Sequence, residues 1–155
     1  MFFSFDPGTG ASTELVSASR IDKDADVPNW ALSPDGKYLA RSILKPNQDA
    51  AIRILSIVDG SDRTVEVKGW SRLIGIYWSA DGKNLWAGGV NPMRAGFGGS
   101  GNCPLLEIGL DGNTRVMASV SDVCFYVGIP SPDGRYLAVE GAKADSSNVW
   151  LMENF

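Results

Sequence analysis

Trp30-Ala31-Leu32-Ser33-Pro34-Asp35-Gly36-Lys37-Tyr38-Leu39-Ala40 sets two strand-like runs on either side of a turn. Proline fixes φ at the turn's start, aspartate bonds back to its own backbone, and glycine takes positive φ at no steric cost. Lys37 belongs in solvent, and Tyr38-Leu39-Ala40 begins the next strand. The design recurs in Tyr77-Trp78-Ser79-Ala80-Asp81-Gly82-Lys83-Asn84-Leu85-Trp86-Ala87 and in Gly128-Ile129-Pro130-Ser131-Pro132-Asp133-Gly134-Arg135-Tyr136-Leu137-Ala138. Asp81 follows Asp35 by 46 residues and Asp133 follows Asp81 by 52. Each interval suits one four-stranded propeller blade, with a longer loop in the second.

A second hairpin completes each blade. Ala51–Val58 leads through Asp59-Gly60 to Thr64–Val67, and Pro104–Leu110 leads through Asp111-Gly112 to Thr114–Met117. Asp-Gly between runs of period two is a strong hairpin signal. No apolar pattern of helical period persists, so the chain reads as all-β. Counting outward gives an outer hairpin at 2–18, a blade at 27–68, a blade at 72–120 and a partial blade at 123–155. The expectation is a β-propeller of four-stranded antiparallel blades, about three and a half in this chain. A strand near Thr13–Ser17 is the candidate for the place that the last blade leaves empty.

The 155 residues suffice for one domain with a real core. The net charge is −4, with lysines and arginines scattered, so no basic stripe for nucleic acid exists. The absence of histidine removes Ser-His-Asp and Cys-His nucleophile systems and all His-ligated metal sites. No apolar run is long enough for a membrane-spanning helix. Met1-Phe2-Phe3-Ser4-Phe5-Asp6-Pro7 reads as a strand entering a turn rather than a secretory leader. That favours a cytoplasmic protein, or a segment of a longer one.

Ser-Pro-Asp-Gly-Lys-Tyr-Leu-Ala at 33–40 and Ser-Pro-Asp-Gly-Arg-Tyr-Leu-Ala at 131–138 resemble the TolB-like, or PD-type, β-propeller repeat. The middle copy departs from it at Ala80. Through its period the resemblance covers nearly the whole chain. It implies a propeller such as occurs in TolB, in the gating propellers of prolyl-oligopeptidase-like enzymes, and in bacterial multidomain proteins behind a winged helix or a kinase. The ending Asn148–Phe155 is similar to a C-terminus of that last group. No winged-helix, kinase or hydrolase segment is present, so none of those activities carries over.

Four side chains are candidates for binding. Arg94, Phe97 and Asn102 belong to the glycine-rich run 88–102, read as a long loop between a blade's second and third strands. Long loops on rigid scaffolds often carry recognition. A phosphate cradle would need a helix after this run, and Pro104-Leu105-Leu106 reads as a strand, so a long loop is the plainer reading. Trp70, in the connection Gly69-Trp70-Ser71-Arg72, is the fourth: it is the aromatic expected on a face, where it is either a partner contact or a single exposed apolar residue of the common kind. The other aromatics, Trp30, Trp78, Trp86, Trp150 and Tyr126, are expected to pack between blades. Loops joining strands two and three emerge on the same face as loops joining blades, so Cys103 and Cys124 can approach: a disulfide and two ordinary small buried thiols are the alternatives. Asp22, Asp24 and Asp26 stand at alternate positions, like the first half of a calcium loop. Val27 occupies the place of that loop's glycine and Ser33 the place of its closing glutamate, so a solvated acidic loop is the plainer reading. Calcium is the one cofactor this pattern suggests, and no other is expected.

The sequence therefore points to a non-catalytic scaffold for protein–protein or ligand interaction. Its expected partner is itself, as a homodimer of half-propellers, or another protein. The alternative is an accessory fragment of a larger enzyme or of a signalling or transcription-regulator protein.

Overall fold

In the computed structural model the described residues are 2–16, 30–45, 48–91, 102–143 and 146–153. Within them the repeated turn closes in one way three times. Ser33 N–H donates to the Tyr38 carbonyl at 2.8 Å, and Gly36 N–H donates to the Ser33 carbonyl at 2.9 Å. Ser33 Oγ accepts the Tyr38 N–H at 2.9 Å and donates to Asp35 Oδ1 at 2.6 Å. That carboxylate oxygen accepts the Lys37 N–H at 3.1 Å. The same bonds recur around Ser79 and Asp81 and around Ser131 and Asp133. Gly36, Gly82 and Gly134 have φ of 72°, 70° and 69°, the left-handed region that other residues avoid. Ala80 replaces proline without loss of a bond, because its position needs only an ordinary negative φ.

These turns join the first two strands of three successive sheets. β1 (Phe2–Phe5) and β2 (Ser12–Val16) form a separate hairpin. β3 (Trp30–Leu32), β4 (Tyr38–Ile43), β5 (Ala50–Ser56) and β6 (Asp62–Val67) form the first blade in chain order. β7 (Arg72–Trp78), β8 (Asn84–Val90), β9 (Leu105–Gly109) and β10 (Thr114–Ala118) form the second. β11 (Val123–Pro130), β12 (Tyr136–Lys143) and β13 (Ser146–Glu153) form a three-stranded third. β7 packs on β3 and β4, and β11 packs on β7 and β8, so the first strands gather at the hub. The fold is an all-β stack of propeller blades, the last of them partial.

Two expectations need correction. The strand near Thr13–Ser17 does not complete the third blade: β1 and β2 form the expected hairpin, from Phe2↔Val16 to Phe5↔Ser12, but as a sheet of their own, apart from β11–β13. The intervening turn makes this pairing local, with Asp6 Oδ1 accepting the Gly8 N–H at 2.8 Å, and short loops close at less entropic cost than long ones. Secondly, Gly88, Gly89 and Val90 are not loop but the end of β8. Gly88 lies against the hub strand of the next blade, where an added Cβ would sit 1.8 Å from the Phe125 carbonyl oxygen.

The core fills the two seams between blades. Ile52, Ile54, Val65 and Val67 of the first blade meet Leu73, Trp78, Leu85, Leu106 and Ile108 of the second. Trp86 and Leu105 meet Phe125, Leu137 and Val139 in the other seam. Leu85 and Trp86, adjacent on β8, thus serve opposite seams, as a strand buried on both faces requires. The Trp78 indole N–H crosses the first seam to the Ala31 carbonyl at 2.9 Å.

The Gly88→Ala variant is expected to lose on the order of 3 kcal/mol, because a backbone carbonyl cannot step aside as a side chain can. An unchanged urea midpoint would refute this close approach. The turn aspartates generate a second expectation. Asp59 is held at about 2, below the ordinary 3.8, by the Ser61 hydroxyl and amide and then the Ser56 hydroxyl. Asp35 and Asp133 are lowered first by the serine hydroxyl two residues back, and Asp81 first by the Lys83 amide. A carboxylate depressed in the folded state binds fewer protons there than in the unfolded chain. Its contribution is complete above the ordinary carboxylate value and is lost as pH falls through the folded one. Urea midpoints should therefore be level from about pH 7 to 5 and fall between about 4 and 2. Alanine at Ser33, Ser79 and Ser131 together should flatten that fall.

Candidate functional site

Of the loop candidates, Arg94 and Phe97 lie outside the described residues, as do Asp22, Asp24 and Asp26. Asn102 is half-buried where the loop re-enters the sheet. Its Nδ2 donates to Ser119 Oγ at 2.9 Å, while Oδ1 is enclosed with no hydrogen-bond donor among the described residues. The next residue is tied to the third blade. Cys103 N–H donates to the Val123 carbonyl at 3.2 Å, and Phe125 N–H donates to the Cys103 carbonyl at 2.9 Å, making a parallel bridge. The Cys103 and Cys124 sulfurs are bonded, with Cα atoms 4.2 Å apart. Cys103 is thus clamped to β11 by two backbone hydrogen bonds and a disulfide.

Trp70 sits in the first seam rather than standing on a face. Its carbonyl accepts the Ala50 N–H at 2.6 Å. Its ring takes the space that Gly89 leaves open, where a Cβ would lie 2.6 Å from Cε3. Its indole N–H points to Thr114 Oγ1 at 3.4 Å. Gly89 and Trp70 are one packing unit, and neither signals it locally in the sequence. Among the other aromatics, Trp78 and Trp86 are buried, whereas Trp150 retains 39% exposure on β13.

On the side of the inner turns, a cleft of about 460 Å³ opens between the second and third blades, lined by Asp81, Asn84, Trp86, Glu107, Pro132 and Asp133. Glu107 accepts Asn84 Nδ2 at 3.0 Å on one oxygen and Arg115 Nε at 2.8 Å on the other. Lys83 and Arg135 stand 3.6 and 3.9 Å from Asp81 and Asp133. The depressed values of Asp81 and Asp133 keep both ionised at neutral pH. The cleft can accept hydrogen bonds and attract cationic groups, but neither aspartate is tuned as a general acid. Among the described residues no cluster of three or more metal-binding side chains occurs. The sequence reads these aspartates as turn formers, which they are. Asn84 and Glu107 join Asp81 within the second blade, but that Pro132 and Asp133 meet them depends on which blades abut, for which no local signal exists.

A groove of about 630 Å³ runs along the outer rim of the first seam, lined by Lys45, Arg63, Glu66, Lys68 and Asp111. Its charges are mixed, and Lys45 pairs with Glu66 at 3.7 Å.

No family model and no curated protein matches the chain. Among solved structures it is similar to TolB from Acinetobacter baumannii, with 16% identity and a TM-score of 0.69 over 97% of this chain and 34% of that one. A TolB candidate from Agrobacterium tumefaciens gives 21% identity and a TM-score of 0.62 over 82% of this chain and 47% of that one. Prolyl oligopeptidase B from Galerina marginata gives 20% identity and a TM-score of 0.57 over 81% of this chain and 20% of that one. The chain spans about a third to a half of the length of the TolB structures it matches. At these identities the likeness is one of fold, and the fold is that of a TolB-like β-propeller.

Proposed function

We propose that this chain is a non-catalytic propeller scaffold that works by binding protein surfaces, first of all a second copy of itself. The observation that carries the reading is the unfinished third blade. Its outward side leaves Val149 and Leu151 73% and 63% exposed beside Ile129, and the outer edge of its last strand has no partner among the described residues. Apolar surface of this kind on an unpaired sheet favours association. The turn carboxylates support a structural rather than an acid–base role, since their hydrogen bonds hold them ionised. A net charge of −4 supports protein partners over nucleic acid. No helix among the described residues is long and apolar enough to cross a membrane. The reading requires no cofactor, calcium at Asp22, Asp24 and Asp26 included.

The share of longer chains that this one covers, 34% of a TolB and 20% of a prolyl oligopeptidase, favours a second reading. In it the chain is an accessory propeller segment of a larger enzyme or signalling protein. A catalytic domain in the same reading frame would decide for that. The Cys103–Cys124 bond supports an oxidising compartment, where such bonds persist, over a cytoplasmic setting.

Light scattering on a sizing column is expected to give about twice the 16.6 kDa chain mass. A monomer mass at all concentrations would overturn self-association and leave the accessory reading. Separately, no thiol should titrate in the unfolded, unreduced protein. The Cys103→Ser/Cys124→Ser variant should lose about 3 kcal/mol, as expected for opening a loop of this length. Two titratable thiols in protein prepared without reductant would remove both the bond and the compartment argument.

A further inference from the structure

We propose that β13 is a pairing edge and that its occupant is β13 of a second copy, antiparallel about a twofold axis at Trp150. The proposal rests on the self-association put forward above and names the surface that performs it. β13 pairs with β12 over its whole length, from Tyr136↔Glu153 to Lys143↔Ser146, with no register shift. Its other edge has no partner among the described residues.

The other outer edges are protected. β6 carries Asp62, Arg63 and Glu66 within six residues. β10 carries Arg115 and a register shift between Val116 and Ala118. The β1–β2 hairpin has strands of only four and five residues, shifts register between Phe2 and Phe3, and carries Glu14 on β2. Charges, bulges and shortness are the devices that keep edges from pairing. β13 has eight residues, no proline, no bulge and one charge, Glu153 at its end.

The faces of β13 fit the same reading. Trp150 and Met152 turn toward the second blade, Trp150 meeting Phe125 edge-on at 5.9 Å. Leu151 lies in one cross-strand row with Ala138 and Ile129, and this apolar row runs out to the edge and stops there. A twofold axis normal to an antiparallel pair admits only registers in which some residue faces its own copy, because directly opposed side chains share a face. Centring on Trp150 pairs Ser147 to Glu153 and sets Val149 opposite Leu151 of the second copy on both sides of the axis. Glu153 then faces Ser147, and no like charges meet. The row Ile129–Ala138–Leu151 continues into Val149 of the second copy.

The test is the Val149→Cys/Leu151→Cys variant, oxidised with oxidised glutathione and read on a non-reducing gel. The double variant should give a covalent dimer that reductant dissolves. Each single variant should give far less, since position 149 faces 151 and not itself. Leu151→Lys, at an exposed site where folding is tolerant, should weaken the dimer at least about tenfold by putting charge on the edge. Cross-linking by a single variant as strong as by the double would overturn the register. A dimer mass with neither a covalent band nor a response to Leu151→Lys would overturn the β13 edge and leave self-association standing. A monomer mass at every concentration would overturn both and make a further segment of polypeptide the occupant.

Discussion

Ser33 Oγ, and its counterparts in Ser79 and Ser131, accepts an N–H from across a four-residue loop while donating to the aspartate inside it. That pair of bonds fixes the loop's length, and the length fixes register: Leu32 opposite Leu39, Ala31 opposite Ala40. A slip of one residue would send each of these to the other side of the sheet. Ala31 and Ala40 would leave the seam they help fill, and Leu39 would leave Leu55 and Trp30 on the opposite side. Blade packing follows from the turn, since a blade presents the right face to its neighbour only in that register.

The seams are held by close backbone approach as much as by side-chain volume. Gly88 admits the Phe125 carbonyl, and Gly112 lets the tip of the second blade's outer hairpin lie on the first blade. A Cβ at Gly112, where φ is 88°, would stand 2.2 Å from the Glu66 carbonyl oxygen. The Asp-Gly pair at 111–112 thus meets a turn requirement and a packing requirement with one residue. The Cys103–Cys124 bond adds a covalent tie across the second seam, at the end opposite the inner turns.

The legible part of the sequence was the part decided locally. Ser-Pro-Asp-Gly announces its turn because all the bonding partners lie within six residues, and the repeat of that turn announced blades. Gly88 and Gly89 were misleading because glycine marks both loose chain and tight approach, and the choice belongs to Phe125 and Trp70, far along the chain. Trp70 read as exposed because it follows Gly69 in a connection; the space that receives it is made by Gly89, nineteen residues on. The hairpin at 2–18 was legible, but that it stands apart from β13 was not, because the sequence does not say which strand edges meet. The cleft beside Asp81 and Asp133 was invisible because it belongs to two blades at once.

The two ends of the stack differ in a way that bears on assembly. On its side away from the second blade, the first blade still buries Leu39 and Leu55, packed with Trp30 and Ile57, and holds Arg41 over the Trp30 ring at 5.2 Å. The third blade does not cover its far side: Ile129, Val149 and Leu151 stay exposed. Full burial of a valine or leucine side chain stabilises by about 1.5–3 kcal/mol, and an open strand edge adds unpaired backbone groups to the same place. The first blade also leaves Leu32 54% exposed opposite Leu39, but its outer strand β6 carries three charges. A partner that extended the sheet past β13 would pair an edge with one terminal charge and lengthen the apolar row together. This asymmetry favours joining chains through like ends, the third blade of each, over a head-to-tail ring in which the third blade of one chain meets the first blade of the next.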